Sequence, residues 1–145
     1  MDTSADRAKI DALVARFFSI FDNRQGARPQ LSQFVDCFTD NAAIAQHANG
    51  STRLYTVREF AVPRIELLTR GEWLDFHEWE ESFAMQVFPG IATRASRYRK
   101  SGWLGGEAYR GAGTKCFQLV ELPIGWRIAS LAWVDDEPEA VASTR

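Results

Sequence analysis

The chain has 145 residues, of which 46% are hydrophobic and 25% charged, and its formal net charge at pH 7 is -2. This is the composition of an ordinary globular protein; it argues against a disordered or fibrous chain and gives no indication of nucleic-acid binding. We therefore expect one domain over residues 1–145, with its core in residues 5–136 and a frayed tail over residues 137–145.

The cysteine content and the hydropathy of the chain indicate its cellular compartment. No apolar run approaches the roughly 20 residues of a membrane span, and the N-terminus opens with acidic residues rather than the basic stretch of a secretion signal. The two cysteines, Cys37 and Cys116, are interpreted as reduced packing residues. The expectation is a cytoplasmic protein with no membrane contact.

The N-terminal segment predicts a long amphipathic helix capped by Thr3 or Ser4. Its apolar residues follow helical spacing: Ile10, Leu13, Val14, Phe17, Phe18 and Phe21. Three phenylalanines on one stripe favour a wide concave partner such as a curved sheet. A short helical turn over residues 31–38 and a short strand over residues 42–48 are predicted to follow.

A second helix is predicted to begin at Thr56, which forms a capping-box pattern with Glu59, and to end at Gly71. Pro63 falls inside it. Because proline removes a backbone donor and clashes with the preceding turn, we expect a kink or two shorter helical pieces near residues 61–64.

From Trp73 onward the apolar period is two, which predicts strands over residues 73–88 and 91–102 joined at Pro89-Gly90. A further hairpin is predicted from two apolar runs, residues 116–122 and 126–133. Helices that precede a run of strands indicate an α+β fold, with the helices packed on one face of a curved antiparallel sheet.

A two-residue loop at Pro89-Gly90 sets the register of the first hairpin. It predicts Glu80 opposite Arg99 and Glu81 opposite Tyr98. Since side chains alternate across a strand, the polar face carries Glu78, Glu80, Ser82, Ala84, Ala95, Arg97, Arg99 and Ser101. The face assigned to the interior carries His77, Trp79, Glu81, Phe83, Met85, Arg94, Ser96 and Tyr98.

A three-residue turn in the second hairpin predicts Glu121 opposite Arg127 and Lys115 opposite Trp133. The expected interior face holds Lys115, Phe117, Leu119, Leu131, Trp133 and Asp135. The outer face is too apolar for water, so we expect a homodimer through Gln118, Val120, Ile128, Ser130 and Ala132. The assignment of the same face to both hairpins depends on residues 102–113, where five glycines permit a bulge.

Several segments together resemble the nuclear transport factor 2-like superfamily and its SnoaL-like group, over residues 5–136. They are Phe17–Phe21 (FFSIF), Phe38–Ala42 (FTDNA), the middle helix, and the strand from Gly111 to Val120 followed by Gly125–Ala129 (GWRIA). The resemblance implies a cone-shaped curved antiparallel sheet wrapped around the long N-terminal helix, with two further helical segments, a pocket at the open end and often a dimer.

The superfamily includes ketosteroid isomerase, scytalone dehydratase, limonene epoxide hydrolase and polyketide cyclases, and many members without a known reaction. The resemblance therefore implies a pocket rather than one chemistry. Its enzymes typically perform acid-base chemistry on apolar ligands, with a carboxylate or histidine as base and a tyrosine or acid as hydrogen-bond donor.

Four residues are candidates for catalysis. His77 is the best general acid or base by type, and a buried structural histidine is the alternative. Glu81 and Tyr98 are a possible base and donor, or a satisfied polar pair within the sheet. Asp40 matches a region where the resemblance places a catalytic aspartate in ketosteroid isomerase, although most relatives use that residue in a turn or cap.

The candidates for ligand binding lie on the expected inner face or at the pocket mouth: His47, Tyr55, Trp79, Phe83, Lys115, Trp133 and Asp135. Alternatively, His47 lies on the surface, Lys115 and Asp135 pair in solvent, and the large aromatic side chains fill the cone. No metal spacing or phosphate loop is present, so neither a metal nor a cofactor is expected.

Two hypotheses follow from these residues. The first is a cofactor-free isomerase, dehydratase or cyclase that acts on a small apolar ligand. The second is a dimeric module that binds a ligand or a partner without catalysis. A cavity reached by His77 or Glu81 favours the first, whereas a cone filled by Trp79, Phe83 and Trp133 argues against it.

Overall fold

The computed structural model describes residues 2–137; of the predicted frayed tail, residues 138–145 lie outside the described residues. The helices are α1 (Ser4–Ile20), α2 (Leu31–Val35) and α3 (Val57–Thr69), with a 3-10 turn at Arg24–Gly26. The strands are β1 (Phe38–Ala48), β2 (Ser51–Thr56), β3 (Trp73–Phe88), β4 (Ile91–Leu104), β5 (Glu107–Leu122) and β6 (Gly125–Asp135).

The six strands form one sheet in the order β2-β1-β6-β5-β4-β3. Strand β1 pairs with β6 in parallel, and the other neighbours are antiparallel. The predicted α+β class is therefore confirmed. Strand β2 was not predicted, because five of its six residues are exposed and it carries no alternating apolar signal. No helix within residues 2–137 has the length and apolar character needed to cross a bilayer.

The apolar stripe of α1 is buried along its whole length, as predicted: Ile10, Leu13, Val14, Phe17, Phe18 and Phe21 are each at most 4% exposed. The ring of Phe17 contacts that of Phe117 on β5 edge to face, with centroids 5.2 Å apart. Each such side chain stabilises the fold by roughly 1.5–3 kcal/mol. Thr3 precedes the helix, but its side chain makes no capping hydrogen bond.

Helix α3 begins with the predicted capping box. The Glu59 backbone N–H donates to Thr56 Oγ1 at 3.1 Å, and the Thr56 N–H donates to Glu59 Oε1 at 2.8 Å. The expected division into two pieces at Pro63 is wrong, since the helix runs through it. Buried residues on both sides of the proline, Phe60 and Leu68, hold the helix against the core.

A β-bulge changes the predicted register of β3 against β4. Phe88 pairs with Ile91 as predicted, but one extra residue lies between Glu80 and Ser82, so that Glu80 instead of Glu81 is opposite Tyr98. The predicted pair of Glu80 with Arg99 is also wrong, since Trp79 occupies that position. Over residues 77–80 the faces are therefore exchanged, and a second register shift lies between Leu74 and His77.

The β5–β6 hairpin has a two-residue turn, which pairs Leu122 with Gly125 and Val120 with Arg127. The predicted pair of Glu121 with Arg127 is therefore wrong. A register shift between Gln118 and Leu119 compensates, so Lys115 is opposite Trp133 as predicted. Ile128, predicted on the outer face, is fully buried because of that shift.

The glycine-rich connection between β4 and β5 contains no bulge. The pairing is continuous from Ile91 with Val120 to Leu104 with Glu107. The interior face predicted for the β5–β6 hairpin is confirmed: Lys115, Phe117, Leu119, Leu131 and Trp133 are all buried, and Asp135 is half-buried.

Candidate functional site

A cavity of about 210 Å³ lies between α3 and the inner face of the sheet. Its walls combine aromatic and charged side chains: Phe21, Gln46, Phe60, Arg64, Leu68, Trp73, Phe76, Glu78, Tyr98, Lys100, Lys115, Trp133 and Asp135. Trp133 therefore forms a wall of the cavity and does not fill it. Four of the predicted site residues are brought together here, namely Tyr98, Lys115, Trp133 and Asp135.

Lys115 lies on β5 with its side chain only 3% exposed. Its Nζ is 3.9 Å from Glu78 Oε1 and 4.1 Å from the centroid of the Tyr98 ring. Burial lowers the pKa of Lys115 to about 8, and the nearby carboxylate of Glu78 opposes that effect without cancelling it. The amine therefore changes charge close to neutral pH.

Glu78 reaches the cavity from β3, and its side chain is 12% exposed. Its Oε1 atom is buried and accepts no hydrogen bond from the described residues. Glu78 was predicted on the polar outer face. The bulge at Glu81 leaves no signal in the sequence, because residues 78–81 are all carboxylate or aromatic and show no clear alternation.

Tyr98 and Asp135 form a second polar pair. The Tyr98 hydroxyl donates a short hydrogen bond to Asp135 Oδ1, and Lys100 Nζ donates to Asp135 Oδ2 at 3.1 Å. Burial, followed by the charge of Glu78, raises the pKa of Tyr98 far above its ordinary value, so the phenol stays protonated. Burial alone would lower the pKa of Lys100, but the charges of Asp135 and Glu78 raise it.

Gly113 makes this arrangement possible. A Cβ at this position would lie 2.9 Å from the Tyr98 ring and 2.5 Å from the backbone oxygen of Val134. Strands β4 and β6 approach β5 closely at this point, and the phenol consequently reaches Asp135. The glycine pattern at residues 111 and 113 thus has a packing role beside the site.

Arg64 enters the cavity from α3 and was not predicted. Its guanidinium carbon is 4.0 Å from the centroid of the Phe60 ring, and Nη1 donates to the Phe60 carbonyl at 2.9 Å. The rings of Tyr55 and Trp133 are each 5.5 Å away. The signal that would have found it is helical spacing, since Arg64 is one turn after the buried Phe60.

The interior placement predicted for His77, Trp79 and Glu81 is wrong, because the bulge turns them to the other face. The ring of His77 stacks on Trp79 with centroids 4.5 Å apart, and burial lowers the pKa of His77. The exposed Glu81 accepts a hydrogen bond from Arg99 Nε at 2.5 Å. Neither His77 nor Glu81 lines the cavity.

The remaining predicted residues lie outside the cavity wall. Asp40 is exposed in a separate depression of about 300 Å³, and His47 is exposed with Nδ1 3.0 Å from Thr52 Oγ1. Tyr55 stands behind the wall, stacked on Trp133 at 6.5 Å. Phe83 is 47% exposed. Among residues 2–137, no group of three or more His, Cys, Asp or Glu side chains is arranged to hold a metal ion.

Comparisons with known proteins were made by sequence and by structure. No protein-family model matches the chain, and no curated protein matches it significantly. Among solved structures, a protein from Kribbella flavida is 18% identical, with a TM-score of 0.75 and 97% of both chains covered.

Two other solved structures are similar over most of their length. A nuclear transport factor 2-like superfamily protein from Salmonella enterica is 12% identical, with a TM-score of 0.74 and 97% of both chains covered. A hexachlorocyclohexane dehydrochlorinase from Novosphingobium barchaimii is 17% identical, with a TM-score of 0.69; the match covers 94% of this chain and 91% of that enzyme. The chain therefore has the nuclear transport factor 2-like fold, as its sequence resemblance implied.

Proposed function

We propose that the protein binds a small apolar carbonyl compound in the cavity and rearranges it by cofactor-free acid-base chemistry, as an isomerase, dehydratase or cyclase. The observation that carries this proposal is the buried amine of Lys115, 3.9 Å from the carboxylate of Glu78 on the cavity wall. A cavity wall that holds a largely buried acid and base side by side has the components of a proton-transfer site.

Each ionisable group has a role in the proposed reaction. Glu78, whose Oε1 accepts no hydrogen bond from the described residues, removes a proton from the carbon next to the ligand carbonyl. The ammonium of Lys115 stabilises the enolate oxygen that forms. Where the substrate carries a β,γ-double bond, the enolate extends to the γ-carbon. The proton on Glu78 is then delivered to that carbon as the double bond moves into conjugation with the carbonyl, which completes an isomerisation without any redox step. Tyr98 stays bound to Asp135 and serves as a rigid polar wall.

The fold neighbours support a catalytic use of this cavity. The hexachlorocyclohexane dehydrochlorinase has the same fold and is named for a reaction of a small apolar compound. The present cavity, at about 210 Å³, is smaller than the roughly 300–1,000 Å³ of drug-sized ligand sites. The proposed substrate is accordingly small, on the scale of one ring.

The test is exchange of carbon-bound protons for deuterium. Cyclohexanone and acetophenone are incubated with the protein in D₂O, and loss of the α-proton signal is followed by NMR. Wild type is expected to exchange at least ~100-fold faster than Glu78→Gln, as is typical when a general base is removed, and Lys115→Met is expected to be similarly slow. Glu81→Gln, which alters an exposed carboxylate of the same strand, is the matched control. Equal rates in all four proteins would contradict the proposal.

A non-catalytic module is the second candidate, and the pairing of charges favours it. Lys100 is already bound to Asp135, and the Tyr98 hydroxyl is occupied by the same carboxylate. Such a wall suits binding as well as catalysis.

In either case we propose a homodimer through the outer face of β5 and β6, and a cytoplasmic location in keeping with the free thiols of Cys37 and Cys116.

A further inference from the structure

The charges on the cavity wall do not cancel. Two cations have carboxylate partners: Lys100 is 3.1 Å from Asp135, and Lys115 is 3.9 Å from Glu78. Arg64 is the third cation that lines the cavity. Among residues 2–137, it forms no ion pair with a carboxylate. The wall formed by these residues thus carries one more positive than negative charge.

Arg64 is also held in place. Its guanidinium packs on the Phe60 ring at 4.0 Å, with Tyr55 and Trp133 at 5.5 Å. Stacking on aromatic faces fixes the plane of the group and leaves its N–H edge available. Within the part of the chain that the structure describes, this side chain makes one hydrogen bond, from Nη1 to the Phe60 carbonyl, which uses one of the five N–H donors of a guanidinium.

We infer that Arg64 is the recognition residue for a carboxylate group on the ligand, and that the ligand is a small carbonyl compound that also carries a carboxylate on its apolar or aromatic body. A guanidinium presents parallel donors that match the two oxygens of a carboxylate. The rings of Phe60 and Trp133, beside Arg64, provide an apolar surface for the body of the same molecule. This inference rests on the proposed function and specifies its substrate class.

The surroundings of Arg64 agree with an anionic occupant. Besides burial, the positive charges of Lys100 and Arg64 lower the pKa of Lys115. A carboxylate bound at Arg64 neutralises part of that positive field. It therefore brings the wall closer to charge balance and shifts Lys115 toward its protonated form, the form that stabilises an enolate in the proposed reaction.

The experiment measures binding of benzoate and of benzamide, its neutral analogue, by calorimetry and by NMR of the arginine Nε–H signals. Wild type is expected to bind benzoate about tenfold or more tightly than benzamide, as expected for a charged hydrogen-bonded pair. Benzoate is expected to shift the signal of Arg64. Arg64→Met should lose this preference, and Arg64→Lys, which keeps the charge without the fork, should retain part of it.

Arg70→Met is the matched control, because Arg70 is exposed near the end of the same helix and pairs with Glu66 and Glu72. It should bind benzoate like wild type. Equal binding of benzoate and benzamide by wild type, or no saturable binding of benzoate, overturns the inference, and neither result depends on the folding of a variant. Proton exchange on neutral ketones tests the proposed function separately, so either idea can fail alone.

Discussion

Lys115 gives the protein a characteristic dependence of stability on pH. Its pKa falls from 10.5 to about 8 on folding, so between these pH values the unfolded chain binds more protons than the folded one. The free energy of unfolding therefore increases with pH in this window. Below the window, the contribution of Lys115 does not change with pH. The pKa difference of 2.5, that is 10.5 minus 8, corresponds to a change in the free energy of unfolding on the order of 3 kcal/mol.

The measurement is urea unfolding of wild type and Lys115→Met at several pH values from 7 to 10.5. The difference in free energy between them is expected to shift in favour of wild type as the pH rises through this range. Lys9→Met removes an exposed lysine of α1, and its difference from wild type should be the same throughout. A constant difference for Lys115→Met would show that the buried amine is not perturbed.

At the scale of single residues, the sequence located half of the polar site. Tyr98 and Lys115 were correctly predicted on the inner face, since the pairing of β4 with β5 is continuous. Asp135 on β6 was also placed correctly, because the register shift between Gln118 and Leu119 compensates for the shorter turn. Glu78 was missed because one extra residue at Glu81 reverses the faces of residues 77–80. Alternation gives the period of a strand but carries no marker for a bulge.

At the scale of secondary-structure elements, Arg94 ties α1 to the sheet. Its side chain is 2% exposed and donates to Glu80 on β3 at 2.6 Å and to Asp11 on α1 at 2.6 Å. Ser96 Oγ also donates to Glu80, at 2.6 Å. Arg94 was predicted only as one residue of the interior face; in the structure it pairs with carboxylates of two different elements.

Arg94→Met is expected to destabilise the protein by about 3–5 kcal/mol, because it leaves the largely buried carboxylate of Glu80 without its cation. Asp11→Asn should cost less than ~1 kcal/mol, since Asp11 is 54% exposed. Urea unfolding at neutral pH measures both changes.

Arg97→Met provides the comparison for Arg94. Arg97 lies on the same strand but is 43% exposed and pairs with the exposed Asp136, so its replacement should change stability by less than ~1 kcal/mol. If Arg94→Met and Arg97→Met proved equally stable, the ion pairs of Arg94 would not contribute to the stability of the packing of α1 on the sheet.

At the scale of the whole molecule, the fold class was predictable from the sequence, but the edge of the sheet formed by β1 and β2 was not. The stripe of α1 and the long alternating strands define an α+β fold with the helix against a sheet, and both are present. The parallel pairing of β1 with β6 depends on contacts distant in sequence. Strand β2 pairs with its neighbour β1 across a short turn, but its exposed residues carry no apolar alternation that would predict it. The cavity likewise depends on how far α3 is from the sheet, which no local pattern encodes.

The proposed dimer is a prediction at this scale. Its surface is the outer face of β5 and β6, corrected for the inward turn of Ile128: Gln118, Val120, Ser130, Ala132 and Val134. Gln118 and Ala132 are exposed, and Val134 is 43% exposed. A stable interface buries about 800 Å² from each partner.

Sedimentation equilibrium at micromolar concentration is expected to give a dimer for wild type. Ala132→Glu places a charge at the centre of the proposed interface and should give a monomer with unchanged circular dichroism, because a buried unpaired charge is costly. Ser82→Glu adds the same charge at an exposed position of β3 and should remain dimeric. A monomeric wild type would refute the dimer, and dimers of all three proteins would place the interface elsewhere.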